Sequence, residues 1–177
     1  CAGITIMNTS YPFFRAYEMA EELCSAAKSE MRALERAAGR EVDSCWIDFA
    51  ILHGEQPPTL EQFRSREYRG ALGDLHFGPY RIDTDGEGAA DAKNITALLA
   101  GVRGLRGLPR NKVKELRHVL AYGKHEQQQF MTQLRHLNLH LPDVPAWRAY
   151  AENLWEQERT PYMDAIELMD YVMDGEV

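Results

Sequence analysis

The chain has 177 residues, with 20 Lys and Arg against 27 Asp and Glu and a formal net charge of −7. Hydrophobic residues make up 45%, enough at this length to bury a core without metal or disulfide support. The acidic balance excludes a wholly basic nucleic-acid coat but leaves room for a local basic patch. No apolar run reaches the roughly 18 residues a membrane-crossing helix needs. Cys1, Cys24 and Cys45 are odd in number and form no CxxC pair, which argues against a disulfide framework or zinc site and for a reducing, cytoplasmic setting. Cys24 and Cys45 read as small buried hydrophobes.

The chain enters a strand directly after Cys1, with Ile4 and Ile6 on one face and Thr5 and Met7 on the other. A lipid-anchored cysteine would usually be followed by a flexible polar tether; order that starts at once reads as a piece of a larger protein, cut at a strand. Pro12 suits a first helical position. Beyond it Phe13, Tyr17, Ala20, Cys24, Ala27, Met31 and Leu34 step by four and three, predicting a long amphipathic helix closed by Gly39. Glu18, Glu21, Glu22, Glu30 and Arg32 take its other faces.

Trp46 to Leu52 alternates as a strand. Thr59-x-x-Gln62 has the form of a capping box for a short helix through Tyr68. Leu75 to Ile82 reads as an edge strand interrupted by Gly78-Pro79. Residues 83–91, rich in Asp, Gly, Glu and Ala, form a connection. Helices follow at about 93–103, 109–122, 124–139, 146–158 and 162–173. The expected fold class is α+β, with a layered domain over 1–82 and an all-α bundle over 83–177.

Nucleophile elbows, Walker loops and HExxH are absent. Asp83-x-Asp85-x-Glu87-Gly88 imitates half a calcium loop, but Asn94 stands where the bidentate Glu belongs, so a solvated acidic linker is the simpler reading. His136 and His140 share a helical spacing without a nearby carboxylate and read as surface residues. Arg103, Arg106, Arg110, Lys112, Lys114 and Arg117 set six positive charges against Glu115 within fifteen residues. Two readings stay open: a docking surface for phosphate or an acidic partner, or a solvated helix start balanced by the acidic tail. In the first, Val113, Leu116 and Leu120 face the bundle while Arg106, Arg110, Lys114 and Arg117 point mostly outward.

Several short motifs occur in order: Ala2-Gly3-Ile4, Tyr11-Pro12-Phe13, Ala20-Glu21-Glu22-Leu23 and Ala27-Lys28; then Ile47-Asp48-Phe49, Arg64-x-Arg66-Glu67-Tyr68 and Pro79-Tyr80; finally Thr160-Pro161-Tyr162-x-Asp164-Ala165-Ile166-Glu167-Leu168-Met169. Together they resemble the palm that follows the GGDD hairpin in the large polymerase/cyclase subunit of type III CRISPR effector complexes, a palm similar to GGDEF cyclase domains. The resemblance implies a partial ferredoxin-like palm followed by a helical bundle. It implies metal-dependent condensation of ATP into cyclic oligoadenylates in antiviral defence, with Mg2+ or Mn2+ held in the parent enzyme by two hairpin acids preceding residue 1, and none held by this chain alone. Lys28 is the triphosphate contact it carries over. ATP, neighbouring effector subunits and RNA are the partners it implies, with no membrane. The alternative reading is a non-catalytic helical interaction module that docks protein subunits or RNA.

Overall fold

The computed structural model describes residues 1–54, 59–82 and 91–173. It is α+β, and its contacts divide it into two compact units. The first holds Cys1–Glu67, the segment from Gly78 that carries the last strand, and Lys93–Ile95. The second holds Tyr68–Phe77 and most of the chain from Thr96 onward, so the ten residues after Glu67 belong to the helical unit.

In the first unit β1 (Ala2–Met7), α1 (Phe13–Ala38), β2 (Trp46–Leu52), α2 (Leu60–Glu67) and β3 (Tyr80–Arg81) follow in order. β1 and β2 run parallel, from Ala2 opposite Ile47 to Met7 opposite Leu52, and β3 joins β2 antiparallel. A parallel pair requires a crossover, and α1 supplies it. The sheet order is β1-β2-β3.

Two sequence features let α1 lie close on the sheet. Gly3 has no side chain where a Cβ would sit 2.5 Å from the Cys24 nitrogen and 2.9 Å from the Leu23 Cβ. Thr5 Oγ1 donates to the Ala16 carbonyl at 3.3 Å. The buried face is therefore Ala16, Met19, Leu23 and Ala27, rotated from the stripe that the spacing of large residues predicts. Phe13 and Tyr17, which begin that stripe, are 74% and 56% exposed, because the close approach at Gly3 turns the Ala16, Met19, Leu23 and Ala27 face onto the sheet. Gly39 ends the helix in the left-handed region at φ +65°.

α2 starts as the capping residues require. Thr59 Oγ1 accepts from the Gln62 amide at 3.3 Å. Glu22, reaching from α1, accepts from the Leu60 amide at 2.8 Å. The helix ends at Glu67. Asp48 is fully buried on β2 and pairs with Arg64 of α2 at 2.5 Å. Of the cysteines, Cys45 is exposed and Cys24 half-buried, correcting the expectation of buried thiols; none of the three is in a disulfide.

The strand expected over Leu75–Ile82 shrinks to the two residues of β3. Proline cannot donate to a ladder, and the Gly78–Pro79 bond is cis. Upstream of it the amides bond elsewhere: Leu75 N donates to the Tyr68 carbonyl at 2.8 Å and Phe77 N to the Asp164 carboxylate at 2.9 Å.

The second unit packs α3 (Ile95–Arg106), α4 (Arg110–Leu120), α5 (Lys124–His136), a 3-10 turn (Pro145–Trp147), α6 (Arg148–Asn153) and α7 (Tyr162–Leu168). Its core includes Leu98, Leu105, Leu116, Leu120, Phe130, Leu134 and Trp147. Val113, Leu116 and Leu120 face inward as their spacing predicts. Three helices stop short of their expected ends. α5 and α6 are followed by Asn138 and Leu154 at φ 54° and 62°, left-handed values that a helix cannot continue through. After α7, the Met169 and Val172 carbonyls accept from Arg106.

Candidate functional site

Lys28 lies on the third quarter of α1, one position past the buried Ala27, and is exposed. α1 runs back along the sheet, so this stretch comes level with the start of β1. Cys24 Sγ donates to the Cys1 carbonyl at 3.7 Å, and Met31 Sδ lies 3.7 Å from Cys1 Sγ. Lys28 sits between those two contacts in sequence.

From Lys28 the helix carries a cation on each following turn, Arg32 and Arg36, with Arg40 just beyond Gly39. All four are exposed, and none forms an ion pair with a described residue. Like charges four apart on a helix repel. The helix dipole favours cations only in the last turn, which accounts for Arg36 and leaves Lys28 and Arg32 unexplained. Two acids of α1 are engaged elsewhere, while half-buried Glu35, three residues from Arg32, has no ion pair with a described residue. Glu22 caps α2, and Glu30 pairs with Lys93. Arg32, Arg36 and Arg40 line an open cleft of about 670 Å³ with Ser29, Glu35 and Glu41. Arg36 Nε donates to the Arg32 carbonyl at 3.2 Å, which fixes one guanidinium along the ridge. Such an array offers several N–H donors and concentrated positive charge to a polyanion. The four-residue spacing of Lys28, Arg32, Arg36 and Arg40 is a signal that sequence reasoning missed, because the interleaved Glu30 and Glu35 dilute the charge.

The basic cluster at 103–117 is used differently. Arg106 donates to the Met169 carbonyl at 2.7 Å and to that of Val172. Arg117 pairs with Glu167 at 3.1 Å, and Arg110 with Asp170 at 3.4 Å. Lys112 bonds Glu115 and Gln133. Lys114 is exposed and has no ion pair with a described residue. Three of the four residues expected at a docking surface are thus drawn onto α7 and the residues after it. The Arg110–Asp170 pair, 85% and 79% exposed, contributes at most about 1 kcal/mol and leaves Arg110 available to a stronger anion.

Sequence reasoning missed a polar cluster in the helical unit. Asp164, fully buried on α7, accepts from the Phe77 amide and lies 3.2 Å from His76 Nδ1. Tyr68 sets its ring edge against His76 and donates its hydroxyl to Glu167. Burial raises the Glu167 carboxyl above the usual carboxylate range; the Tyr68 hydroxyl lowers it, Asp164 raises it, and Arg117 lowers it. Burial likewise raises the Tyr68 hydroxyl. The cluster ties Tyr68–Phe77 to α7 and is closed to solvent, which suits a structural lock better than a reaction centre.

His136 and His140 are exposed. Among the described residues no group of three or more His, Cys, Asp or Glu side chains is placed to hold a metal ion, and no helix is long and apolar enough to cross a membrane. Asp83, Asp85 and Glu87 of the calcium-like motif lie outside the described residues. Compared with protein-family models and with curated proteins, the chain matches none.

Proposed function

We propose that the first unit is the closing part of a palm-type nucleotide polymerase or cyclase, of the kind found in type III CRISPR effector subunits, and that its α1 ridge binds the triphosphate of ATP. The observation that carries the reading is the exposed run Lys28, Arg32 and Arg36, none in an ion pair with a described residue, whose Lys28 end comes level with the start of β1. The parallel β1–α1–β2 crossover with an antiparallel third strand is compatible with a partial ferredoxin-like palm. Phosphoryl transfer asks little covalent work of the protein and much positioning charge. Here Lys28 serves as a point charge on the phosphates, and Arg32 and Arg36 offer forked donors to non-bridging oxygens.

By the resemblance, the ligands for Mg2+ or Mn2+ would lie in other parts of the parent protein. Fluorescent ATP-analogue binding tests the assignment. Lys28→Ala with Arg32→Ala should weaken binding by about tenfold or more, since a charge-assisted contact contributes about 1.5–3 kcal/mol, while circular dichroism stays the same. Affinity unchanged in the double variant would return the ridge to a solvated helix face.

The second reading is a non-catalytic module docking protein subunits or RNA through Arg106, Arg110, Lys114 and Arg117. The exposure of Arg110 and Lys114 favours it; the pairing of Arg106 and Arg117 within the unit weakens it.

A further inference from the structure

A further surface lies wholly within the helical unit. One face of α5 and the turn that follows α6 line a cleft of about 730 Å³, within the size range of ligand sites. Lys124, Gln128 and Arg135 fall on one stripe of α5, spaced by four and seven, so the two cations stand about 16 Å apart along the helix. Glu152, Asn153 and Trp155 line the cleft from the other element.

Two features mark it as more than a surface furrow. Neither Lys124 nor Arg135 has a carboxylate partner among the described residues, although Arg135 Nε donates to the Met131 carbonyl at 3.3 Å. Half-buried Trp155 also gives the cleft an aromatic ring, with side-chain amides at Gln128 and Asn153.

We propose that this cleft binds a short stretch of single-stranded nucleic acid. Lys124 and Arg135 at the two ends suit phosphates, and the N-terminus of α5 adds positive potential at the Lys124 end. Trp155 provides a stacking platform for one base. Gln128 and Asn153 carry the paired donor and acceptor that read base edges, and Glu152 accepts from a base amino group. The length of the cleft favours an oligonucleotide over a compact anion. An acidic peptide would meet Glu152 without using the ring.

The test is fluorescence anisotropy with labelled eight-residue RNA and DNA on the full chain, alongside AMP and an eight-residue oligoglutamate as competitors. Lys124→Glu with Arg135→Glu should weaken oligonucleotide binding at least tenfold and lower its salt slope by about 1.4, with circular dichroism unchanged. Trp155→Ala should cost about tenfold, and Trp155→Phe should recover part of that loss by restoring a stacking face. Competition by AMP with the same sensitivity to these variants would identify a free nucleotide as the occupant and keep the chemistry. No binding by the wild-type chain, binding indifferent to the charge reversal, or stronger competition by oligoglutamate than by AMP would overturn the proposal.

Discussion

Gly3→Ala is the sharpest test of how the first unit is built, because the added methyl has nowhere to go. Its carbon would stand 2.5 Å from the Cys24 nitrogen and 2.9 Å from the Leu23 Cβ, and closer still to the Ala20 carbonyl oxygen. Two of these three neighbours are α1 backbone, so no rotamer change relieves the clash and the helix itself must lift from β1. Overpacking typically costs about 1–3 kcal/mol, and a backbone obstacle puts this case near the upper figure. With a urea dependence of about 2 kcal/mol per molar, the midpoint should fall by roughly 1.5 M. Gly39→Ala is the matched control: nothing lies within 4 Å of its new methyl, and only the left-handed φ of +65° is penalised, at about 1 kcal/mol or roughly 0.5 M. Equilibrium unfolding followed by far-ultraviolet circular dichroism separates the two. A Gly3→Ala midpoint equal to wild type, or displaced less than that of Gly39→Ala, would refute the close helix–sheet packing from which the placement of Lys28 follows.

Arg64→Ala should cost about 3–5 kcal/mol in the same assay, because it strips the Arg64 ion pair from a fully buried Asp48; a loss under 1 kcal/mol would show that Asp48 does not depend on it. Tyr162→Phe should be neutral or stabilising, since the Tyr162 hydroxyl is buried without a partner among the described residues, and a loss above 1 kcal/mol would mean the hydroxyl is used. Glu167 has its folded-state carboxyl raised above 4.5, so the native state holds its proton more tightly than the unfolded chain. Its contribution then falls as pH rises from the ordinary carboxylate range through the raised value, and wild type should lose stability relative to Glu167→Gln over that interval; a difference that stays flat or grows in favour of wild type would contradict the burial argument.

The sequence pattern was most informative where local chemistry acts alone. Gly39 closes α1 at the expected residue, and Val113, Leu116 and Leu120 point inward as spaced, while Pro12, expected as the first helical residue, stands just before the helix in an extended conformation. It misled where backbone approach or distant partners decide. The apolar stripe through Phe13 and Tyr17 looks like a core face until Gly3 draws the helix down on its smaller residues. The Leu75–Phe77 run has strand composition, yet its amides find the Tyr68 carbonyl and an α7 carboxylate nearly ninety residues away. A local window cannot see such partners. Lys28 reached notice only through a family resemblance, and Arg32 and Arg36, which extend it at four-residue spacing, were passed over because Glu30 and Glu35 dilute the charge.

The two basic regions show why a count of charges is a poor guide to an anion site. Residues 103–117 hold the denser cluster, six cations against Glu115, but the fold brings Glu167, Asp170 and two carbonyl oxygens to meet it. Those bonds satisfy Arg106 and Arg117 before any visitor arrives, and a ligand there would first have to displace them. The α1 ridge is sparser and interleaved with Glu30 and Glu35, yet Glu30 is drawn away to Lys93 and Glu35 makes no ion pair with a described residue. Its repulsion is relieved by no ion pair among the described residues, so an incoming polyphosphate gains attraction without breaking an existing one. The balance between the regions rests on where the carboxylates go, and tertiary contacts set that. The same reasoning ranks Lys124 and Arg135, with no carboxylate bound to either, above the better populated face of α4.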